Sequence, residues 1–209
     1  PFPPPMRSTP ACPWHRTPAF AALVLLVAGT LAYLNSFAGP FVFDDEPSIL
    51  RNPTIRSLAS AWWPPAEGGL TVSGRPVLNF TLAINHALGG EAVGGYHALN
   101  LLIHLAGGLT LYGLVRRTLH QPVLAPRFAR DADLIALVAA ALWLLHPLQT
   151  AAVTYVIQRA ESLCALFFLL TLYAVARHAA PGAGRRWSVA AGLACLLGMG
   201  TKEVMVTAP

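Results

Sequence analysis

Three consecutive carboxylates, Asp44, Asp45 and Glu46, stand a few residues beyond the first apolar run of the chain. Adjacent acids repel, and a bound cation or a shared proton relieves the cluster. The same repulsion can lift one pKa into the range of a general base. A triplet at a membrane surface is also placed to meet a lipid-linked substrate. The plain alternative is a solvated acidic cap on a short helix beginning near Pro47. Arg159 with Glu161 and Lys202 with Glu203 each set a cation beside an anion. Each is either a mutual ion pair or a phosphate clamp, the Arg fork suiting bidentate contact and the Lys acting as a point charge. Tyr96, Asn100 and His104 recur at i, i+4 and i+8, and His97 stands three before Asn100, so the four share a helical face. His104 lies roughly 10 Å deeper than His97. Ionisable groups at such depth face a bundle interior or a water-filled cavity.

These groups need a frame, and composition says which kind. Of 209 residues, 55% are hydrophobic and 11% charged, with a mean hydropathy of +0.55. Soluble domains carry about 25% charged residues. The apolar runs approach the roughly 20 residues a bilayer crossing needs, so the expected fold is all-α: a polytopic transmembrane helix bundle. About five spans are expected, near 19–38, 96–115, 134–145, 162–176 and 187–200. Ser36-Phe37-Ala38 resembles a signal cleavage site, but the run before it exceeds the usual 7–15-residue h-region, which favours a retained span. The Pro-rich leader, 1–18, suits a disordered tail. The outer loop, 39–93, is too long for a simple connection. Its Trp62-Trp63-Pro64-Pro65 suits a headgroup-level helix end, and Val77 to Leu88 has the spacing of an interfacial helix. The third span closes at His146-Pro147, on a turn shared with the outer face. The chain lacks an initiating Met and ends as a new apolar stretch begins, so it reads as part of something longer.

Charge sorts by side. With the N-terminus cytoplasmic, the inside segments hold nine basic and two acidic residues, and the outside segments five basic and seven acidic. That bias follows the positive-inside rule. The net charge of +5 therefore reports orientation, and the scattered basic residues give no nucleic-acid face. Thirteen of the fourteen basic residues are Arg, a composition that points to a bacterial inner membrane ahead of the endoplasmic reticulum. Cys12, Cys164 and Cys195 form neither a disulfide framework nor a zinc pattern. No phosphate-binding glycine loop is present. Asn79-Phe80-Thr81 matches a glycosylation sequon, but on a segment that reads as helical. Gly107-Gly108 suits close helix packing.

Several segments then occur in a telling order: Phe43-Asp44-Asp45, Ile49-Leu50-Arg51-Asn52-Pro53, Gly74-Arg75-Pro76, Gly95-Tyr96-His97-Ala98-Leu99-Asn100 with His104, Leu145-His146-Pro147-Leu148-Gln149, Arg159-Ala160-Glu161 and Thr201-Lys202-Glu203. From about Asn35 to Pro209 the chain resembles the membrane half of the transmembrane and tetratricopeptide-repeat containing proteins, O-mannosyltransferases of the GT-C glycosyltransferase superfamily. The resemblance implies O-mannosyl-type transfer from a polyprenyl- or dolichyl-phosphate sugar to Ser or Thr of an extracytoplasmic protein acceptor. It implies further spans and a repeat domain beyond these residues. It places the catalytic acids at Asp44 and Asp45 without deciding which is the base, because Asp-Asp-Glu stands where related enzymes have Asp-Glu. Arg159, Lys202 and His146, with Arg75, become candidates to hold the leaving lipid phosphate. Glu46, His97, His104, Glu161 and Glu203 become supporting residues. No cofactor is required, although a divalent cation at Asp44/Asp45 is compatible with the cluster. A transporter using His97, His104 and Arg159, or a non-catalytic anchor for a repeat scaffold, are the competing readings.

Overall fold

Thr17 opens the first helix of the computed structural model, which describes residues 17–66 and 68–208. Its hydroxyl accepts the Phe20 N–H at 3.3 Å, and Pro18 occupies the first turn, where a missing N–H is harmless. Helix α1, Pro18–Tyr33, tightens into a 3-10 turn at Leu34–Ala38, giving a 21-residue candidate span. The expected tail, Cys12 and Glu67 lie outside the described residues, apart from Thr17 and Pro18.

The loop that follows is folded back on the bundle by short turns at Glu46–Leu50, Pro53–Arg56 and Ser60–Trp62. Helix α2, Pro76–Gly89, starts on a proline and stops where Gly90 takes φ +59°, a conformation glycine tolerates. Its expected limits were 77–88. The longest helix, α3, runs over Val93–Leu119. It continues past the expected 96–115 because Arg116 and Arg117 do not end it. Arg116 reaches Asp133 at 2.5 Å and Arg117 donates to the Ala176 carbonyl at 3.3 Å. A single turn, α4 (Ala125–Phe128), leads to α5, Ala132–Leu144. Past His146-Pro147 the chain bends by 51° into Pro147–Thr154, which ends in α6 (Thr150–Thr154). Helix α7, Arg159–His178, and helix α8, Arg186–Met199, come next, followed by a 3-10 turn at Glu203–Thr207. No strand occurs among the described residues.

A helix stands at each of the five expected positions. Three, at Pro18–Ala38, Val93–Leu119 and Val156–His178, are long and apolar enough to cross a membrane, and a fourth if the bent pair counts as one span. At 14 residues, Arg186–Met199 falls short of a crossing by itself. Exposed Leu23, Leu31, Leu134, Leu142, Leu193 and Leu196 form the surface that a bilayer or further helices would cover.

Helix α3 is the axis. On one side Tyr96, Ile103, Ile157 and Leu163 pack with Ile49, Ile55 and Leu78 from the loop. On the other, Leu101, Leu105 and Tyr112 pack with Leu25, Ala140 and Leu144. Helices α3 and α5 approach closely at Gly108, where a Cβ would come within 2.8 Å of a Leu144 methyl carbon. The broken end of α5 is secured by the Leu144 carbonyl, which accepts from His104 Nε2 at 2.8 Å and from the Tyr33 hydroxyl at 3.2 Å. The Trp143 ring stacks on His104 with centroids 4.9 Å apart. His104 thus joins α1, α3 and α5, which is why a histidine can stand at that depth.

Candidate functional site

The three acids separate sharply in space. Asp45 is completely buried. Its Oδ2 accepts the Val42 N–H at 2.9 Å and its Oδ1 accepts the Ile157 N–H at 2.8 Å. Burial pushes its carboxyl above the ordinary 3.8; the two N–H bonds and nearby His97 oppose the rise, and Asp44 adds to it. Asp44 is exposed, and its own N–H donates to the Tyr155 hydroxyl at 2.9 Å. Glu46 is exposed and pairs with Arg51 at 2.5 Å, across the turn that both flank.

The turn carrying the acids is strained. Phe43 has φ +45°, the left-handed region that costs a residue with a Cβ about 1 kcal/mol or more. Hydrogen bonds hold it there: Asp45 N–H to the Val42 carbonyl at 3.0 Å, Glu46 N–H to the Phe43 carbonyl at 3.2 Å, and the Asp45 carboxylate back to Val42. Phe43 meets Tyr155 edge to face, with centroids 6.4 Å apart. Burial raises the pKa of the Tyr155 phenol; the two aspartates act in the same direction, while the Asp44 N–H opposes them.

Beneath this turn lies a polar hub. Asn100 donates to the carbonyls of Val153 at 3.3 Å, Tyr155 at 3.5 Å and Val156 at 3.1 Å. Its Oδ1 accepts from Arg159 Nε at 2.6 Å. The Arg159 guanidinium is fully buried and also donates to the Thr81 carbonyl at 3.2 Å and the Tyr96 carbonyl at 3.0 Å. It therefore presents no open edge to a phosphate, contrary to the role expected for it, because its donors tie α7 to α2 and α3. His97 is buried as well, donating from Nε2 to the Gly39 carbonyl at 3.1 Å.

Two of the other expected cations, Arg75 and Lys202, meet where the start of α2, the first turn of α7 and the end of α8 come together. Arg75 pairs with Glu203 at 3.2 Å and donates to the Thr71 carbonyl at 2.9 Å, while Lys202 pairs with Glu161. The Val77 N–H bonds the Gly200 carbonyl at 3.0 Å, binding the α2 start to the α8 end and bringing these four residues to one place. The pairing is crosswise: neither Glu161 with Arg159 nor Glu203 with Lys202 forms the neighbouring pair that the spacing suggested. The backbone N–H of Glu203 and then Arg75 hold the Glu203 carboxyl below its ordinary value. His146 is exposed and accepts the Leu148 N–H at 3.2 Å through Nδ1, capping the turn after the α5 break.

Comparison of the sequence with known proteins finds relatives over most of its length. The chain is 34% identical over 177 residues to the protein O-mannosyl-transferase TMTC4 of Mus musculus, covering 74% of this chain and 22% of that protein. It is 32% identical over 205 residues to Tmtc2 of Drosophila melanogaster, covering 90% and 21% respectively. The chain belongs to the TMTC-like family. The protein O-mannosyl-transferase F38B6.6 of Caenorhabditis elegans is 31% identical over 164 residues. The chain spans about a fifth of the length of these relatives. No family model matches it, and no solved structure does.

In this TMTC-like chain, several residues that shape the site had escaped the reading from sequence. Tyr155 lies in a short, aperiodic stretch, and only its contact with the acid turn reveals it. Asn52 and Asn79 join through Asn52 Nδ2 at 2.9 Å, and Asn79 reaches the Thr54 hydroxyl at 2.9 Å and the Ala61 carbonyl at 2.8 Å. That network fastens the loop to α2, and the full burial of the Asn79 side chain removes the sequon from reach of modification. No group of three metal-ligating side chains forms among the described residues. With both Asp45 oxygens accepting N–H bonds, Asp44 is the carboxylate of the pair open to a cation.

Proposed function

We propose that this chain carries the acidic outer-face site of a membrane glycosyltransferase. The reaction is transfer of a mannosyl group from a polyprenyl- or dolichyl-phosphate donor to Ser or Thr of an extracytoplasmic protein. The observation that carries the reading is the division of labour in the acid pair: Asp45 is a buried tether, and Asp44 is an exposed carboxylate on a strained, heavily bonded turn. Pre-organised groups of this kind favour a reaction without rearrangement at the moment of bond exchange.

In the proposed step Asp44 accepts the proton of the acceptor hydroxyl as its oxygen attacks the anomeric carbon. The bond from that carbon to the phosphate oxygen breaks with inversion, and the electron pair leaves on the lipid phosphate. Arg75 and Lys202 are the cations suited to meet that phosphate, exchanging their partners Glu203 and Glu161 for it. His146 stands exposed beside the α5 break as a third candidate. Arg159, His97 and His104 act through position, holding α2, α3, α5 and α7 in register. A divalent cation, if used, would take Asp44 as its ligand from the pair.

The charge bias supports a cytoplasmic N-terminus with the acid turn on the opposite face, and the Arg-rich composition supports a bacterial inner membrane. The test is transfer of a labelled sugar from a lipid phosphate carrier by membranes bearing the complete protein. Asp44→Asn should abolish transfer while leaving the protein folded. Full transfer by that variant would remove Asp44 from the chemistry and favour the anchor reading.

A further inference from the structure

The far end of α7 has a different chemistry from the end that meets the acids. Arg177 stands in its last turn, about 27 Å along the axis from Arg159. The Arg177 guanidinium carbon lies 4.4 Å from the ring centroid of Trp187, in the first turn of α8, and 5.9 Å from that of Tyr173. Arg186 approaches the same indole at 5.6 Å. The Tyr173 and Trp187 rings meet edge to face, with centroids 6.2 Å apart. Arg117 is held at this end too, because its Nε donates to the Ala176 carbonyl at 3.3 Å.

Among the described residues, none of Arg117, Arg177 and Arg186 forms an ion pair. The acids expected on this side, Asp131 and Asp133, stand at the start of α5, and Asp133 already accepts from Arg116 and Tyr112. An aromatic face attracts a cation but supplies no counter-charge. Two guanidinium groups on one indole, with a third tied nearby, therefore repel one another, and the complement they lack is an anion. Position decides which anion. The candidate span Val156–His178 ends one residue beyond Arg177, so the cluster stands where an apolar crossing meets water. Trp and Tyr favour that level, ring body toward the lipid and polar edge toward the headgroups. An anion held at that level is a phospholipid headgroup, whose phosphate oxygens match the planar fork of arginine.

We propose that Arg177 and Arg186, gathered on Trp187 and joined by Arg117, bind the headgroup of an anionic membrane phospholipid. The test uses the complete protein in phosphatidylcholine nanodiscs doped with a phosphatidylglycerol that carries a diazirine. Crosslinks should map to residues 173–190. Unlabelled phosphatidylglycerol should suppress them, while added phosphatidylcholine and inorganic phosphate should not. Arg186→Gln, at an exposed position, should raise the phosphatidylglycerol needed for half-maximal labelling about fivefold, the equivalent of about 1 kcal/mol for one arginine at a membrane surface. Arg177→Gln combined with Arg186→Gln should abolish labelling at these residues, and the corresponding pair of Lys substitutions, which keeps both charges, should retain it. Arg130→Gln removes the same charge from an exposed position on the same side and should change nothing. An equal loss with Arg130→Gln would mean a diffuse field in place of a site, and equal suppression by inorganic phosphate would mean a free anion in place of a lipid. Either result overturns the proposal, as does suppression by phosphatidylcholine or labelling that bypasses residues 173–190.

Discussion

The Asp45 carboxylate accepts the backbone N–H of Ile157, 112 residues further along the chain, at 2.8 Å. One buried side chain thereby fixes the first outer loop to the segment that leads into α7, and leaves its neighbour Asp44 facing outward.

The two aspartates should therefore fail differently. Asp44→Asn should lose sugar transfer at unchanged thermal stability. Asp45→Asn should lower stability by about 1–3 kcal/mol, because an amide offers one acceptor oxygen to two N–H groups. Thermal unfolding of both variants beside a transfer assay checks this, and a stable Asp45→Asn protein would contradict the tether.

The pH response of Asp45 has an unusual sign. With its folded pKa raised above 3.8, its contribution to stability is fullest below that value and declines as pH rises through the raised one. Glu203 runs the other way: its lowered pKa gives a contribution present above 4.5 that fades as pH falls. From pH 7 toward pH 4, the unfolding temperature of the native protein should gain on Asp45→Asn and lose ground to Glu203→Gln.

Asn100→Ala should be among the most damaging single changes. It frees three carbonyls of the bent segment and leaves the buried Arg159 without its Asn100 partner, for a loss of about 3 kcal/mol or more. Protease susceptibility near residues 150–158 should rise before global unfolding does.

Gly108→Ala should strain the α3/α5 contact by about 1–3 kcal/mol. Combined with Leu144→Ala, the loss should be less than the sum of the two, which a double-mutant cycle in thermal or denaturant unfolding measures.

Orientation is open to labelling. With the native cysteines replaced, Leu148→Cys and Val123→Cys present exposed thiols on what should be opposite faces. An impermeant maleimide applied from outside should reach the first and spare the second; the reverse pattern would invert the proposed topology.

How far the sequence could be read depends on what kind of signal each element carries. Helix α2 was legible through the spacing of its apolar groups from Val77 to Leu88, and the α5 break because His146-Pro147 stops a helix. The Tyr96, His97, Asn100, His104 stripe was legible through its spacing. What spacing cannot express is which neighbour a charge will choose. Arg159 looked like a ligand for phosphate because a buried arginine satisfied by carbonyls and an amide has the same one-letter code as an exposed one. Likewise, nothing local distinguishes Asp44 from Asp45; the difference is made by Ile157 and Tyr155, more than a hundred residues away. The crosswise pairing of Arg75 with Glu203 and Lys202 with Glu161 was hidden for the same reason.

The double use of the Leu144 carbonyl bears on how the protein is made. Tyr33 on α1 and His104 on α3 both donate to it, and Asn100 finds all its partners between Val153 and Arg159. During synthesis, α1 and α3 emerge well before any of those partners exist. Until residues 144–159 follow, three polar side chains in two apolar helices have nothing to bond in lipid. Assembly should therefore be ordered, with α1 and α3 waiting for the bent segment before their polar groups are satisfied. A chain halted short of it would display its own incompleteness to the membrane.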